Sequence, residues 1–420
     1  MEPVTHILTG ACLARTGLNR KAAYATLTMA IAAQFPDIDT LWSLRGPVAG
    51  FAHHRGITHT FVGIPFEAAF IVGGVWLLHR WRAARYEQRL TDAPPDSEPE
   101  FHHGDGRYTD ERNVRPLTAA PVRWGLLYGF ALLALLSHLL LDFTNNYGLR
   151  PFFPFDRHWY AGSIVFIFDP LIFLLLLAAL ILPWLFGLIG SEVGARRQPF
   201  RSRGWAIVAL LGIVSYWGLR TFEHAHAVEM VMQQAVAVPV SASPAQTDAT
   251  DTATDALNST PAPAPPAPAP TFAAARRVLA SPDPLSPFRW YTTGDYGSFY
   301  ELDTADTLHG NLSGNGVARA KAQSTPQIRA ALASPLGRVY IDWSSAPLLE
   351  QEQPDEAGRI AVTLTDLRFV GDIPFMNREG HSPLSGEIVL DRQNRVIDQS
   401  LDGRSAGGVL GDPLTGGLPR

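Results

Sequence analysis

The sequence predicts a mainly α protein: a multi-pass membrane helical bundle carrying a His/Asp site, followed by a small α+β or mostly β soluble domain. Three observations predict it. Hydrophobic residues make up 46% of the 420-residue chain and charged residues only 17%, a balance too apolar for an ordinary soluble protein of this length. Apolar runs fall at 58–79, 124–142, 163–189 and 205–219. A spanning helix needs about 20 mostly apolar residues, which the first three runs reach and the fourth approaches. Finally, His and Asp residues gather near the ends of these runs instead of scattering.

Residues 3–34 read as a helical hairpin. THILTGACLA and AAYATLTMAIAAQF are each too short to span, and TGLNRK breaks them, so the turn is expected at Gly17–Lys21. Asp169-Pro170 is a cap followed by a first helical position, which starts the third long helix near 169 and carries it to about 189. Positive charge then orients the bundle. Arg15, Arg20 and Lys21, then Arg80, Arg82, Arg85 and Arg89, then Arg196, Arg197, Arg201 and Arg203 fall on one face, which the positive-inside rule makes cytoplasmic. The opposite, periplasmic face receives His6, Asp37, Asp39, His53, His54, His59, His138, Asp142, Asp156, His158 and Asp169.

Three regions follow: a membrane-embedded helical domain (1–230), a linker rich in Pro, Ala, Ser and Thr (231–271), and an extracytoplasmic domain (272–420). The linker contains PAPAPPAPAP, a composition that favours extended, semi-rigid chain. Residues 88–116 read as a polar cytoplasmic loop. In the last region RWYTTGDYGSFYELDT reads as a hairpin around Gly294-Asp295, and TPQIRAALAS as a short helix capped by Thr325. GRVYIDW, RIAVTLTDLRFV and GEIVLDRQNRVIDQS read as strands. No catalytic constellation is visible there. No cleavable signal peptide is expected, since Pro3 and His6 stand where its basic and apolar parts would lie.

Charge and cysteine content narrow the function. The net charge of -5 and the lack of a basic block argue against a nucleic-acid partner. Cys12 stands alone, so a metal would be held by His, carboxylate and water. No Ser-His-Asp arrangement, phosphate-cradling loop or nucleotide fingerprint stands out.

Four clusters carry the chemistry. His138 and Asp142 share one face of a strongly apolar helix, one turn apart, as a packing pair or as ligands of one ion. HHRGITH (53–59) brings His54 and His59 near a helix start, with Arg55 offering a planar fork to a phosphate or carboxylate. Asp37 and Asp39 in FPDID are exposed turn carboxylates or bridging ligands. His6 gains weight because the hairpin sets it beside Asp37. Together they suit zinc, manganese or iron, any of which can lower the pKa of bound water toward about 7. His102, His103, His224 and His226 are assigned no role. Asp169 reads first as a helix cap, and Asp156 and His158 as a rim.

VTHILTGA, FPDID, HHRGITHT and SHLLLD, in this order and spacing over about residues 1–190, resemble the YdjM-like (DUF457) family of membrane-bound metal-dependent hydrolases. That family is distantly similar to zinc-dependent phospholipase C. The resemblance implies a phospholipase C-like site with zinc as the metal and His6, Asp37, His59, His138 and Asp142 as ligands. Asp39 and His54 are then expected as ligands or as groups that orient ligands, and, together with Arg55 on its own chemistry, as catalytic groups. It also implies a hydrolase of a phosphoester in a lipid or envelope component, with the bilayer as a partner. The chain departs from the phospholipases at Met1, where they carry a zinc-binding Trp. Two other readings stay open: a scaffold or envelope-stress protein with a structural metal, and a transporter. The transporter is disfavoured by charges at helix ends and by the lack of broken-helix repeats.

Overall fold

The computed structural model describes residues 2–91, 121–192, 203–237, 272–371 and 382–405. His102, His103, Arg196, Arg197, Arg201, most of the 88–116 loop and most of the 231–271 linker lie outside the described residues.

Helix α1 (Pro3–Arg15) begins at Glu2, whose carboxylate accepts from the amides of Val4 and Thr5 at 2.7 and 2.8 Å. It ends at Thr16, and Gly17 turns the chain with φ +127. After a 3-10 turn at Leu18–Arg20, α2 (Ala25–Gln34) returns alongside α1. The expected hairpin is therefore present. Gly10 makes it tight: a Cβ there would collide with the Met29 carbonyl and stand 2.7 Å from the Ala33 Cβ. A long 3-10 segment, Phe35–Arg45, opens on Pro36 and carries FPDID. Helix α3 (Pro47–His53) and a single turn at Ile57–His59 lead to α4 (Gly63–Thr91).

Helix α5 (Trp124–Thr144), α6 (Pro170–Glu192) and α7 (Arg203–Met232) complete the helical part. Among the described residues, α5 and α7 are long and apolar enough to cross a bilayer. The stretch from Pro47 to Gln88, bent by 84° after His59, makes a third if counted as one span. The third apolar run is helical from Pro170 to Glu192, starting at Asp169-Pro170 as expected. Asp169 caps it at its N-terminus by accepting from the amides of Leu171 and Ile172, which leaves 163–168 irregular. The fourth run is longer than expected. Phe66 and Phe70 on α4 are 74% and 69% exposed, as suits a helix face in contact with lipid. Inside, Met29, Leu127 and Leu135 join α1, α2, α4 and α5, while Cys12, Ile172 and Ile213 join α1 to α6 and α7.

Beyond α7, β1 (Ala235–Ala237) pairs antiparallel with β2 (Phe272–Ala274), so the two ends of the Pro-rich stretch lie side by side. Strands β3 (Arg277–Pro282), β4 (Arg289–Asp295), β5 (Phe299–Asp306) and β6 (Asn311–Leu312) form one sheet in that order, with β7 (Val317–Ala320) on β5. The β4–β5 hairpin turns at Tyr296–Ser298, just past Gly294-Asp295, because Gly297 adopts φ +92. Helix α8 (Pro326–Ala333) starts from Thr325 as expected.

GRVYIDW is helical, not a strand: it lies in α9 (Pro335–Trp343). Ser334 caps it by accepting from the Gly337 amide at 3.0 Å, Pro335 opens it, and Leu336, Tyr340 and Trp343 recur at helical spacing on the buried side. A second antiparallel sheet is ordered β12-β11-β10-β9-β8, from β8 (Pro347–Gln351), β9 (Ile360–Asp366), β10 (Gly386–Leu390), β11 (Val396–Leu401) and β12 (Arg404–Ser405). RIAVTLTDLRFV supplies β9 and a 3-10 turn at Leu367–Phe369, and GEIVLDRQNRVIDQS folds into the β10–β11 hairpin.

The sheet-rich region packs on the helices at two places. Arg220 of α7 donates to the carbonyls of Ser286 and Asp283 and lies over the Trp290 ring at 4.5 Å. Tyr340, Trp343 and Phe369 share a core with Phe51 and Tyr147.

Candidate metal centre

Four remote residues converge where the hairpin, the 57–59 turn and the end of α5 meet. Asp37, His59, His138 and Asp142 each offer one ligand atom, and these atoms lie within 4.8 Å of one another. The His59 and His138 Nε2 atoms are 3.1 Å apart, and each is 3.4 Å from Asp142 Oδ2. Asp37 Oδ1 is 3.5 Å from His59 Nε2 and 3.7 Å from His138 Nε2. A tetrahedral zinc with bonds of about 2.0–2.1 Å needs donor–donor edges of about 3.3–3.4 Å. The donor spacing fits such an ion.

The partners on the far sides of the rings agree. His138 Nδ1 meets the Ala33 carbonyl at 2.7 Å, which can only accept, so the proton sits on Nδ1. His59 Nδ1 lies 3.2 Å from Asp39 Oδ2, a carboxylate that likewise takes a proton donor. With both rings neutral, the two Nε2 lone pairs face each other at 3.1 Å. A shared cation relieves that confrontation, and ligand imidazoles held by a carbonyl or carboxylate behind them are the usual arrangement around a metal.

Each position has a local cause. The tight α1–α2 contact at Gly10 brings Ala33 against α5. Pro36 turns α2 into the 3-10 segment and puts Asp37 and Asp39 on its inner side. Asp39 also accepts from the Arg55 amide at 2.7 Å, from Thr58 Oγ1 at 3.2 Å, and faces His54 Nδ1 at 3.2 Å. Arg55 itself is left-handed, φ +53, a costly backbone state for a residue with a side chain. Burial alone would raise the Asp37 carboxyl, but the imidazoles of His59, His138 and His6 around it hold it below the usual carboxylate range. Asp39 is lowered likewise: burial opposes ionisation, and hydrogen bonds from His54 and His59 overcome it. Both are therefore ionised at neutral pH, as ligands and ligand partners require.

The Arg55 guanidinium donates from Nη2 to Asp142 Oδ1 at 2.9 Å and from Nη1 to the Gly148 carbonyl at 2.6 Å and Asn145 Oδ1 at 3.3 Å. It lies 4.6 Å over the Tyr147 ring. The ion pair with Asp142 is buried on both sides.

Of the residues singled out in the sequence, His6 is beside the group of four. It stacks on His138 with centroids 3.8 Å apart, and its Nε2 is 3.5 Å from Asp142 Oδ1. Neither ring nitrogen of this buried His has a hydrogen-bond partner among the described residues. Asp169 caps α6 and accepts from Tyr216 OH, away from the centre. Asp156 accepts from the His158 amide and Tyr160 OH within its own loop. His53 stacks on Trp42. His224 packs on Trp290 and His226 on Phe222.

Sequence reasoning missed Asn145 and Tyr147. Asn145 bridges Asp142, Arg55 and the Tyr147 amide. The one available signal was the Asn145-Asn146-Tyr147-Gly148 turn directly after SHLLLD. Gly148 has φ +84 and approaches the Tyr160 carbonyl at 3.0 Å from where a Cβ would stand.

Fold and site together define a membrane-helix protein with a buried His/Asp centre able to hold a metal ion. Residues 1–227 match the YdjM inner membrane protein family, and the chain belongs to that family. It is also similar to the uncharacterised protein YfhP of Bacillus subtilis (strain 168), with 25% identity over 188 residues, 43% of this chain and 45% of that one. The match thus spans less than half of that relative's length. No solved structure matches the chain. The family match ends before the Pro-rich stretch, so both five-stranded sheets lie beyond it.

Proposed function

We propose that this protein is a membrane-bound metal-dependent hydrolase acting on a phosphoester of a lipid or envelope component. The observation that carries the reading is the pair of opposed Nε2 atoms of His59 and His138, flanked by Asp37 and Asp142 at metal-ligand spacing. These four would hold the ion, most simply zinc, and His6 would offer a further donor. A bound divalent ion lowers the pKa of water toward about 7 and so supplies a hydroxide at neutral pH. Arg55 stabilises negative charge on the phosphoester beside Asp142, while Asp39 and His54 orient His59 and the Arg55 backbone. Placing this end of the bundle at the periplasmic surface lets an amphiphile present its head group from the interface.

A structural-metal reading is favoured by one observation: four protein donors, three of them wholly buried, already fill a tetrahedral ion. Elemental analysis of the detergent-purified protein beside His138→Ala and Asp142→Ala, with turnover of a chromogenic phosphodiester, separates the two. Stoichiometric metal with turnover, both lost in the variants, supports the hydrolase. Metal without turnover supports the scaffold, and metal content unchanged in both variants overturns the site.

A further inference from the structure

Three of the four surfaces that Arg55 rests on belong to the loop Asn145–Gly148: the Asn145 side chain, the Tyr147 ring and the Gly148 carbonyl. That loop is in turn held by residues far outside the family match. Trp343 Nε1 donates to the Tyr147 carbonyl at 3.2 Å, and its ring packs on Tyr147 at 4.9 Å. Arg368 Nη1 donates to the Asn146 carbonyl at 3.0 Å and reaches the Tyr147 carbonyl at 3.5 Å. Asn146 Nδ2 answers by donating to the Arg368 carbonyl at 3.3 Å.

Arg368 is not a loose clamp. Asp366 grips it with both oxygens, from Nε at 2.9 Å and Nη2 at 2.8 Å, and Asp366 also accepts from the Ser345 amide. The planar fork leaves Nη1 alone to face the loop. The consequence reaches the candidate centre. Asp142 Oδ1 is engaged by Arg55 Nη2 and by Asn145 Nδ2, and Oδ2 is the oxygen that faces both His59 and His138. Where Arg55 sits decides which oxygen of Asp142 is presented.

We propose that Trp343 and Arg368 are positioning residues for Arg55, so that the sheet-rich domain beyond the family region completes the site of the helical part. Its effect on metal rests on the reading of that site as a metal centre; its effect on Arg55 does not. Neither residue touches the ligand atoms; both act through the backbone of residues 146 and 147, and Trp343 also through the Tyr147 ring.

The test uses the full-length protein in detergent with two readouts. Cobalt(II) replaces the native metal, and its visible absorption reports coordination geometry. Arginine 15N spectra, with the Arg55 guanidinium signal assigned through Arg55→Lys, report Arg55 directly. Trp343→Phe removes the Nε1 donor and keeps an aromatic ring; Arg368→Met removes the fork. We expect both to shift or broaden the Arg55 signal and to alter the cobalt bands. Arg359→Ala, which breaks only an exposed ion pair with Asp355 in the same domain, leaves both as in the wild type. If Arg368→Met fails to fold, Trp343→Phe decides alone. A wild-type Arg55 signal in every folded variant overturns the proposal. A wild-type protein that takes up no cobalt overturns the metal reading instead, and the nitrogen spectra still decide the positioning of Arg55.

Discussion

Arg55 and Asp142, 87 positions apart, form a buried ion pair at 2.9 Å directly beside the opposed imidazoles of His59 and His138. Removing one member of a buried pair leaves the other charge uncompensated and costs about 3–5 kcal/mol. Arg55→Met is therefore expected to lower the thermal unfolding midpoint sharply. Arg55→Lys retains charge but loses the fork, and on the proposed reaction it should lower kcat/KM by about 100-fold. Unfolding curves of Arg55→Met that overlie the wild type would show the pair to be inert.

Metal removal provides a second expectation. An ion that binds only the folded protein stabilises it by about 4 kcal/mol at a thousandfold excess over its Kd. Chelation should lower the unfolding midpoint of the wild type, and zinc should restore it. His138→Ala, lacking one of the facing nitrogens, should respond to neither. Equal responses in the two proteins would place the metal elsewhere.

Asp39 touches His59, His54, Thr58 and the Arg55 amide, all of them behind the ligand atoms. Losing a group that orients a ligand imidazole typically weakens metal affinity by about 10–100-fold. Competition titration of Asp39→Ala against a zinc chelator should show a loss of that size with one site per chain retained. A complete loss of stoichiometry would make Asp39 a ligand.

Gly10 links packing to the centre, since it admits the Met29 carbonyl and Ala33 at close range. Forcing a side chain into such a contact costs about 1–3 kcal/mol. Gly10→Val should prise α2 from α1 and displace the Ala33 carbonyl that holds His138. The variant is expected to lose metal affinity as well as stability, whereas Gly73→Ala, where a Cβ meets nothing within 4 Å, should change neither.

Asp366 gives a pH dependence. Burial raises its pKa, but the Arg368 guanidinium and its hydrogen bonds outweigh that and leave it below the usual carboxylate range. A depressed folded pKa contributes stability above the unfolded carboxyl value of about 3.9, and that contribution is lost as pH falls through and below it. Between about pH 5 and 3 the wild type should lose thermal stability more steeply than Asp366→Asn, which starts lower at neutral pH. Parallel pH profiles would contradict this.

The donor set was legible because membrane helices expose anomalies. A His and an Asp four apart in SHLLLD, and three His in HHRGITH, stand out against apolar sequence that has little reason to carry them. The hairpin was legible because TGLNRK interrupts two short apolar halves. GRVYIDW misled because Val, Tyr, Ile and Trp favour strands, whereas Ser334-Pro335 upstream and the spacing of Leu336, Tyr340 and Trp343 decided for a helix. Asn145 and Tyr147 were not legible as site residues, since turn residues after a helix are ordinary until their partners are known.

The sequence by itself determined which residue types lie at the ends of apolar helices and where those helices begin, because hydropathy, prolines and capping side chains act over a few positions. Only the tertiary structure decided that His59 and His138 face each other, that Arg55 fixes one oxygen of Asp142, and that Trp343 and Arg368 hold the loop beneath Arg55. Those relations join segments from 79 to 222 residues apart. They exist through close packing and directional hydrogen bonds, neither of which leaves a periodic trace along the chain.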